Sequence, residues 1–139
     1  MGPSPDLETY RARHAAGENA VLWMRLVADM DTAVSLMLKL AGGAPDSFLL
    51  ESVTGGEVRG RYSVIGTAPD LIWRCRGARA EINRTAAADR EAFVAQDAPS
   101  LDSLRNLISE SRIELPEGLP PMAAGLFGYL GYDMIRLVE

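Results

Sequence analysis

The spacing of apolar residues changes along the chain, and each change marks an element. Val21–Ala28 (VLWMRLVA) gathers large apolar and β-branched residues and predicts a buried strand. Val34, Met37, Leu38 and Ala41 then recur at helical spacing, with Leu36 and Leu40 as a second apolar flank. Asp31 or Thr32 supplies a cap and Gly42-Gly43 a stop. A largely buried helix is therefore expected up to about Ala41.

Short strands follow. Ser47–Val53 and Arg61–Gly66 flank the turn signal Thr54-Gly55-Gly56-Glu57, and Thr67-Ala68-Pro69-Asp70 turns the chain again. Leu71–Arg76 and Ala78–Arg84 read as a hairpin around Gly77, with Leu71, Trp73 and Cys75 alternating against Ile72, Arg74 and Arg76. Such a meander predicts an antiparallel sheet with one solvated face. Thr85–Ala98, polar and alanine-rich, reads as a variable excursion. Ser100 stands at an N-cap position, and Leu101, Leu104, Leu107 and Ile108 give a short helix its apolar face. Leu115–Pro121 is a proline-rich loop, Met122–Leu130 a further strand, and Tyr132–Val138 the start of a helix. Residues 1–19 form a loose arm with a short helix near Thr9–His14. The fold class is α+β: a mostly antiparallel sheet with a few packed helices, in one domain spanning residues 20–139.

Composition narrows the function. The 139 residues are 47% hydrophobic, enough for one core and too few for two. Fourteen basic residues face nineteen acidic ones, a formal charge of −5, which argues against nucleic acid as a partner. Cys75 is the single cysteine, so no disulfide forms within the chain and a reducing compartment is expected. Gly2 invites a myristoylation check, but the hydroxyl residue required at position 6 is Asp6. The apolar runs are broken by Arg25, Asp29 and Lys39, far short of the ~18 residues of a membrane helix. A cytoplasmic protein with no membrane partner is expected.

No catalytic arrangement stands out. His14, the single histidine, lies in the polar arm, away from any nucleophile. Phosphate-loop and dinucleotide fingerprints are missing, and the candidate metal ligands are scattered. Gly125, Gly128 and Gly131 suit close backbone packing better than ligand binding. No catalytic residue, cofactor site or metal site is therefore assigned.

Two segments are more specific. One is Ser47-Phe48-Leu49-Leu50-Glu51-Ser52-Val53, followed by Gly60-Arg61-Tyr62-Ser63-Val64-Ile65-Gly66. The other is Gly125-Leu126-Phe127-Gly128-Tyr129-Leu130-Gly131-Tyr132-Asp133. In order and spacing they resemble the N-terminal region of the anthranilate synthase component I family. Asp31-Thr32-Ala33-Val34-Ser35 also resembles that family, with alanine where proline is common. The related aminodeoxychorismate synthase component I is the nearest alternative.

The resemblance implies the N-terminal domain of a larger two-domain enzyme, truncated before its catalytic domain. The whole enzyme would convert chorismate and ammonia to anthranilate and pyruvate. Mg²⁺ would sit in its C-terminal chorismate-binding domain, and a glutaminase subunit would supply ammonia. The N-terminal part would hold much of the site at which L-tryptophan inhibits. By the resemblance, Ser52 lies near the ligand's amino group and Leu50 beside the indole. Glu51 adds charge for the ammonium, and Arg61 or Tyr62 on the next strand meets the carboxylate. On a strand, Phe48, Leu50 and Ser52 share one face and Leu49 and Glu51 the other. Two alternatives stay open: a scaffold domain without a ligand, and the equivalent domain of the folate-pathway relative.

Overall fold

The computed structural model describes residues 2–51 and 62–138. It is α+β, with helices and antiparallel sheets. The chain divides into two compact units, Met1–Met30 with Ser111–Leu126, and Asp31–Glu110 with Phe127–Glu139. Among the described residues no helix is long and apolar enough to cross a membrane.

The first unit carries helix α1, Leu7–Ala15. Its N-cap Asp6 accepts from the Thr9 amide at 2.9 Å and from the Thr9 hydroxyl at 3.1 Å. The strand expected over Val21–Ala28 does not form. Trp23 makes one antiparallel bridge to Ser4, with N–H···O distances of 2.8 and 2.9 Å, and among the described residues its neighbours in Val21–Ala28 form no strand pairing. Apolar character makes a strand possible, but only a neighbouring backbone makes it real. Val27 and Met30 are accordingly 90% and 92% exposed. The strand expected over Met122–Leu130 fails in the same way. Pro121 opens a 3₁₀ turn at Pro121–Ala123, and the glycine-spaced residues beyond it stay irregular.

In the second unit, helix α2 spans Ala33–Ala41. Thr32 is the cap. Its hydroxyl accepts from the Ser35 amide at 3.1 Å, and its own amide donates to the Ser35 hydroxyl at 3.0 Å, closing a capping box. Asp31 plays a different part, accepting from Ser35 Oγ at 2.8 Å and Lys39 Nζ at 2.6 Å. Gly42 ends the helix in the left-handed region at φ 54°, which a side chain would disfavour. The helix was expected to be largely buried. Only Ala41 is, while Val34, Leu38 and Leu40 stay exposed.

The strands form two antiparallel sheets rather than one meander. In the first, β1 (Phe48–Glu51) pairs with β2 (Ser63–Gly66). In the second, β4 (Arg79–Asn83) lies between β3 (Ile72–Arg76) and β5 (Val94–Ala95). The β3–β4 hairpin turns on Gly77 and Ala78, with Gly77 at φ 60° as the first central residue. Helix α3, Ser100–Glu110, packs on β4. Its buried positions are Ser100, Ser103 and Leu107, not the leucine stripe alone. The serines are there to satisfy polar groups: Trp73 Nε1 donates to Ser103 Oγ at 3.2 Å, and Ser100 Oγ donates to the Ala78 carbonyl at 2.7 Å. Leu107, Ile82 and Ala80 supply the apolar core.

The other face of this sheet is partly covered too. Asn83, fully buried, donates to the Asp89 carbonyl at 2.7 Å and accepts from the Thr85 amide at 2.9 Å. That pins the expected excursion after Thr85 to the sheet and lets it return as β5. Arg74 pairs with Glu81 at 2.8 Å, and its guanidinium lies 3.4 Å from the centre of the Phe93 ring. The last turn, Tyr132–Leu137, is 3₁₀ rather than α-helical.

Two measurements check this account. Leu107→Ala empties the best-packed position and should lower stability by about 2–5 kcal/mol, against about 1 kcal/mol for Thr32→Ala, in urea denaturation. Hydrogen bonds from Lys39 and then Ser35 hold the Asp31 carboxyl below the usual carboxylate range. The folded chain binds that proton less readily than the unfolded one. The contribution is thus complete above the ordinary carboxylate pKa and is lost as pH falls through the lowered value. In an NMR titration Asp31 should titrate below the ordinary range, and Lys39→Met should move it back up.

Candidate functional site

The β1–β2 ribbon bears the residues singled out from the sequence. Its register sets Phe48 opposite Gly66, Leu49 opposite Ile65, Leu50 opposite Val64 and Glu51 opposite Ser63. Paired residues share a face and successive residues alternate. One face therefore carries Phe48, Leu50, Val64 and Gly66, and the other carries Leu49, Glu51, Ser63 and Ile65. Leu50 is 49% exposed, so this face is open to solvent at Leu50, while Phe48, Val64 and Gly66 on it are half-buried. Tyr62, beside the first residue of β2, is 51% exposed.

Leu50, Glu51 and Tyr62 thus come within one short ribbon, but Leu50 and Glu51 point to opposite sides of it. Ser52 and Arg61 lie outside the described residues. Nothing in the geometry makes this face reactive: it presents apolar side chains with a carboxylate and a phenol at its margin. It is suited to holding an apolar or aromatic group. Among the described residues no three of histidine, cysteine, aspartate and glutamate group so as to hold a metal ion.

One feature of this face went unread in the sequence. The Phe48 ring covers Gly66, and a Cβ at Gly66 would clash with the Cε1–Cζ edge of that ring. Phe127 stacks on Phe48, with ring centroids 4.8 Å apart and planes at 28°. A glycine ending β2 directly opposite a phenylalanine was the available signal, since an aromatic ring often covers a strand glycine. Phe127 carried no such signal, because its partner is far away in sequence. An open groove elsewhere, lined by Ala78, Pro99, Ser100, Leu101, Asp102, Arg105 and Leu137, is a weaker candidate. Its charges are already matched, Arg105 to Asp102 at 2.8 Å.

Gly66→Ala should displace the Phe48 ring and cost about 1–3 kcal/mol as overpacking does. Thermal unfolding measures the loss, and the aromatic ring-current shifts in an NMR spectrum should collapse with it. An alanine variant with wild-type stability and wild-type shifts would contradict this packing.

No family model matches the chain, and no solved structure matches its fold. Curated relatives do match. Anthranilate synthase component 1 of Cereibacter sphaeroides is 61% identical over 132 residues, which cover 95% of this chain and 26% of that protein. The protein of the same name from Synechocystis is 36% identical over 138 residues, covering 98% of this chain and 26% of its own length. That from Arthrobacter globiformis is 32% identical over 133 residues, covering 96% and 24%. The chain spans about a quarter of the length of these relatives. Over that quarter, the N-terminal region, the chain belongs to the anthranilate synthase component 1 family.

Proposed function

We propose that this chain is the N-terminal regulatory part of an anthranilate synthase component 1, and that the Leu50 face of the β1–β2 ribbon forms half of an L-tryptophan feedback site. The observation that carries this is an apolar strand face left open, Leu50 49% exposed opposite Val64, in a segment whose sequence follows the family. Support also comes from the identity to component 1 proteins along almost the whole chain.

Physical limits shape the proposal. Burying an indole removes roughly 150–250 Å² of apolar surface, worth about 4–6 kcal/mol before the costs of association. An open strand face covers one side of a ring at most. The other side must come from elsewhere, so the chain alone binds L-tryptophan weakly. Leu50 is placed to meet the ring. Glu51, on the opposite face, reaches an ammonium only around the strand's margin, and the family resemblance assigns that end to Ser52. Arg61 or Tyr62 on the β2 side takes the carboxylate.

The parent enzyme joins ammonia from a glutaminase subunit to chorismate and releases anthranilate and pyruvate in the cytoplasm. Mg²⁺ belongs to the C-terminal chorismate-binding domain. This chain alone is inactive in that reaction. L-tryptophan inhibits by bridging the two domains and selecting the arrangement in which the catalytic half is less competent. It shifts that balance only by its difference in affinity for the two arrangements.

A second role as a brace for the catalytic half has its own support. Val27 and Met30 in one unit, and Tyr129 and Tyr132 in the other, are each 90–94% exposed, large side chains seldom left so open to water. The two roles are compatible.

Inhibition kinetics on the full-length Ser52→Phe enzyme test the site. The bulky ring is expected to fill the space for the ligand's amino end, and the tryptophan concentration for half inhibition should rise at least about tenfold, ~1.4 kcal/mol. Unchanged sensitivity would sink the assignment and leave the bracing role.

A further inference from the structure

Phe127 arrives at the β1–β2 ribbon from well beyond it in sequence and stacks on Phe48. The ribbon face carrying Leu50 and Val64 therefore ends against an aromatic wall. Leu50 follows Phe48 by two residues, about 6.6 Å along the strand. A flat ring resting on Leu50 would have its far edge at the phenylalanine pair. The pair is not sealed in a core: Phe48 is half-buried and Phe127 is 39% exposed. Gly66 lets the Phe48 ring lie down against β2. The wall is apolar and bears no charge, so it disfavours a charged side chain, and its two rings can stack with or meet edge-on an aromatic one.

We propose that Phe127 is a specificity-determining residue of the aromatic amino-acid site, packing its ring against the far edge of the ligand's indole; the proposal rests on the tryptophan reading above. It adds a residue outside both strands, and it gives the site a physical basis for preferring an indole. Aromatic rings in contact gain beyond the area they bury, through offset or edge-to-face geometry. A leucine at 127 keeps apolar bulk and loses that gain. A tyrosine keeps the ring.

The test is direct L-tryptophan binding to the full-length protein by calorimetry, with half-inhibition concentrations measured in parallel. Phe127→Leu, Phe127→Tyr and Ser52→Phe are compared with wild type, and L-phenylalanine is titrated alongside. Phe127→Leu is expected to weaken tryptophan binding about tenfold, ~1.4 kcal/mol, and to narrow the preference over L-phenylalanine. Phe127→Tyr should stay near wild type. Thermal melting reports whether each variant folds, and Phe127→Met replaces the leucine variant if that one does not. Wild-type binding and preference in Phe127→Leu, with loss in Ser52→Phe, would overturn the role of Phe127 and leave the site standing. Wild-type binding in both would overturn the site as well. Equal loss in the leucine and tyrosine variants would reduce Phe127 to a packing residue and overturn the proposal.

Discussion

A β-strand keeps its shape by lending its backbone groups to a neighbour, and the sheets of this chain exist where that neighbour is close at hand. β3, β4 and β5 follow one another and exchange their hydrogen bonds across short connections. β1 and β2 pair in full register over four residues. Each sheet then has something to lie against. Helix α3 closes one face of β3–β4 through Leu107, and the Trp73–Ser103 and Ser100–Ala78 hydrogen bonds fix its seat. Over Val21–Ala28 and Met122–Leu130, where strand pairing among the described residues is limited to the Trp23–Ser4 bridge, the apolar chain remains irregular and mostly exposed.

Local signals in the sequence were therefore good guides and distant ones poor. Thr32 and Gly42 bound α2 because capping depends on residues a few positions apart. The hairpin at Gly77 was legible for the same reason. β5 was not, because a two-residue strand in a polar stretch has no period to detect, and the side chain that brings it home is a buried asparagine. The α3 face was misread because Ser100 and Ser103 look polar in sequence yet serve buried partners. Of the candidate site, Leu50, Glu51 and Tyr62 rest on a family resemblance. Strand alternation then placed Leu50 and Glu51 on opposite faces. The Phe48–Phe127 stack depends on tertiary packing, which no local pattern encodes.

The same constraint links fold to function. A ribbon of two short strands has two faces, and residues of one family-like segment must divide between them. The face of Leu50 and Val64 is aliphatic and ends against an aromatic pair; the opposite face carries Leu49 and Ile65 beside the polar Glu51 and Ser63. A single open face supplies half a pocket. Under the proposed regulatory role, a ligand held partly here and partly by a second domain would report on how the two are arranged.

Hydrogen–deuterium exchange on the full-length protein, with and without L-tryptophan and with D-tryptophan as control, tests this most directly. Exchange in residues 48–51, 63–66 and the segment around Phe127 should slow with the L enantiomer and stay unchanged with the D enantiomer. Protection confined to other parts of the protein, or the same protection by both enantiomers, would contradict a tryptophan site on the β1–β2 ribbon.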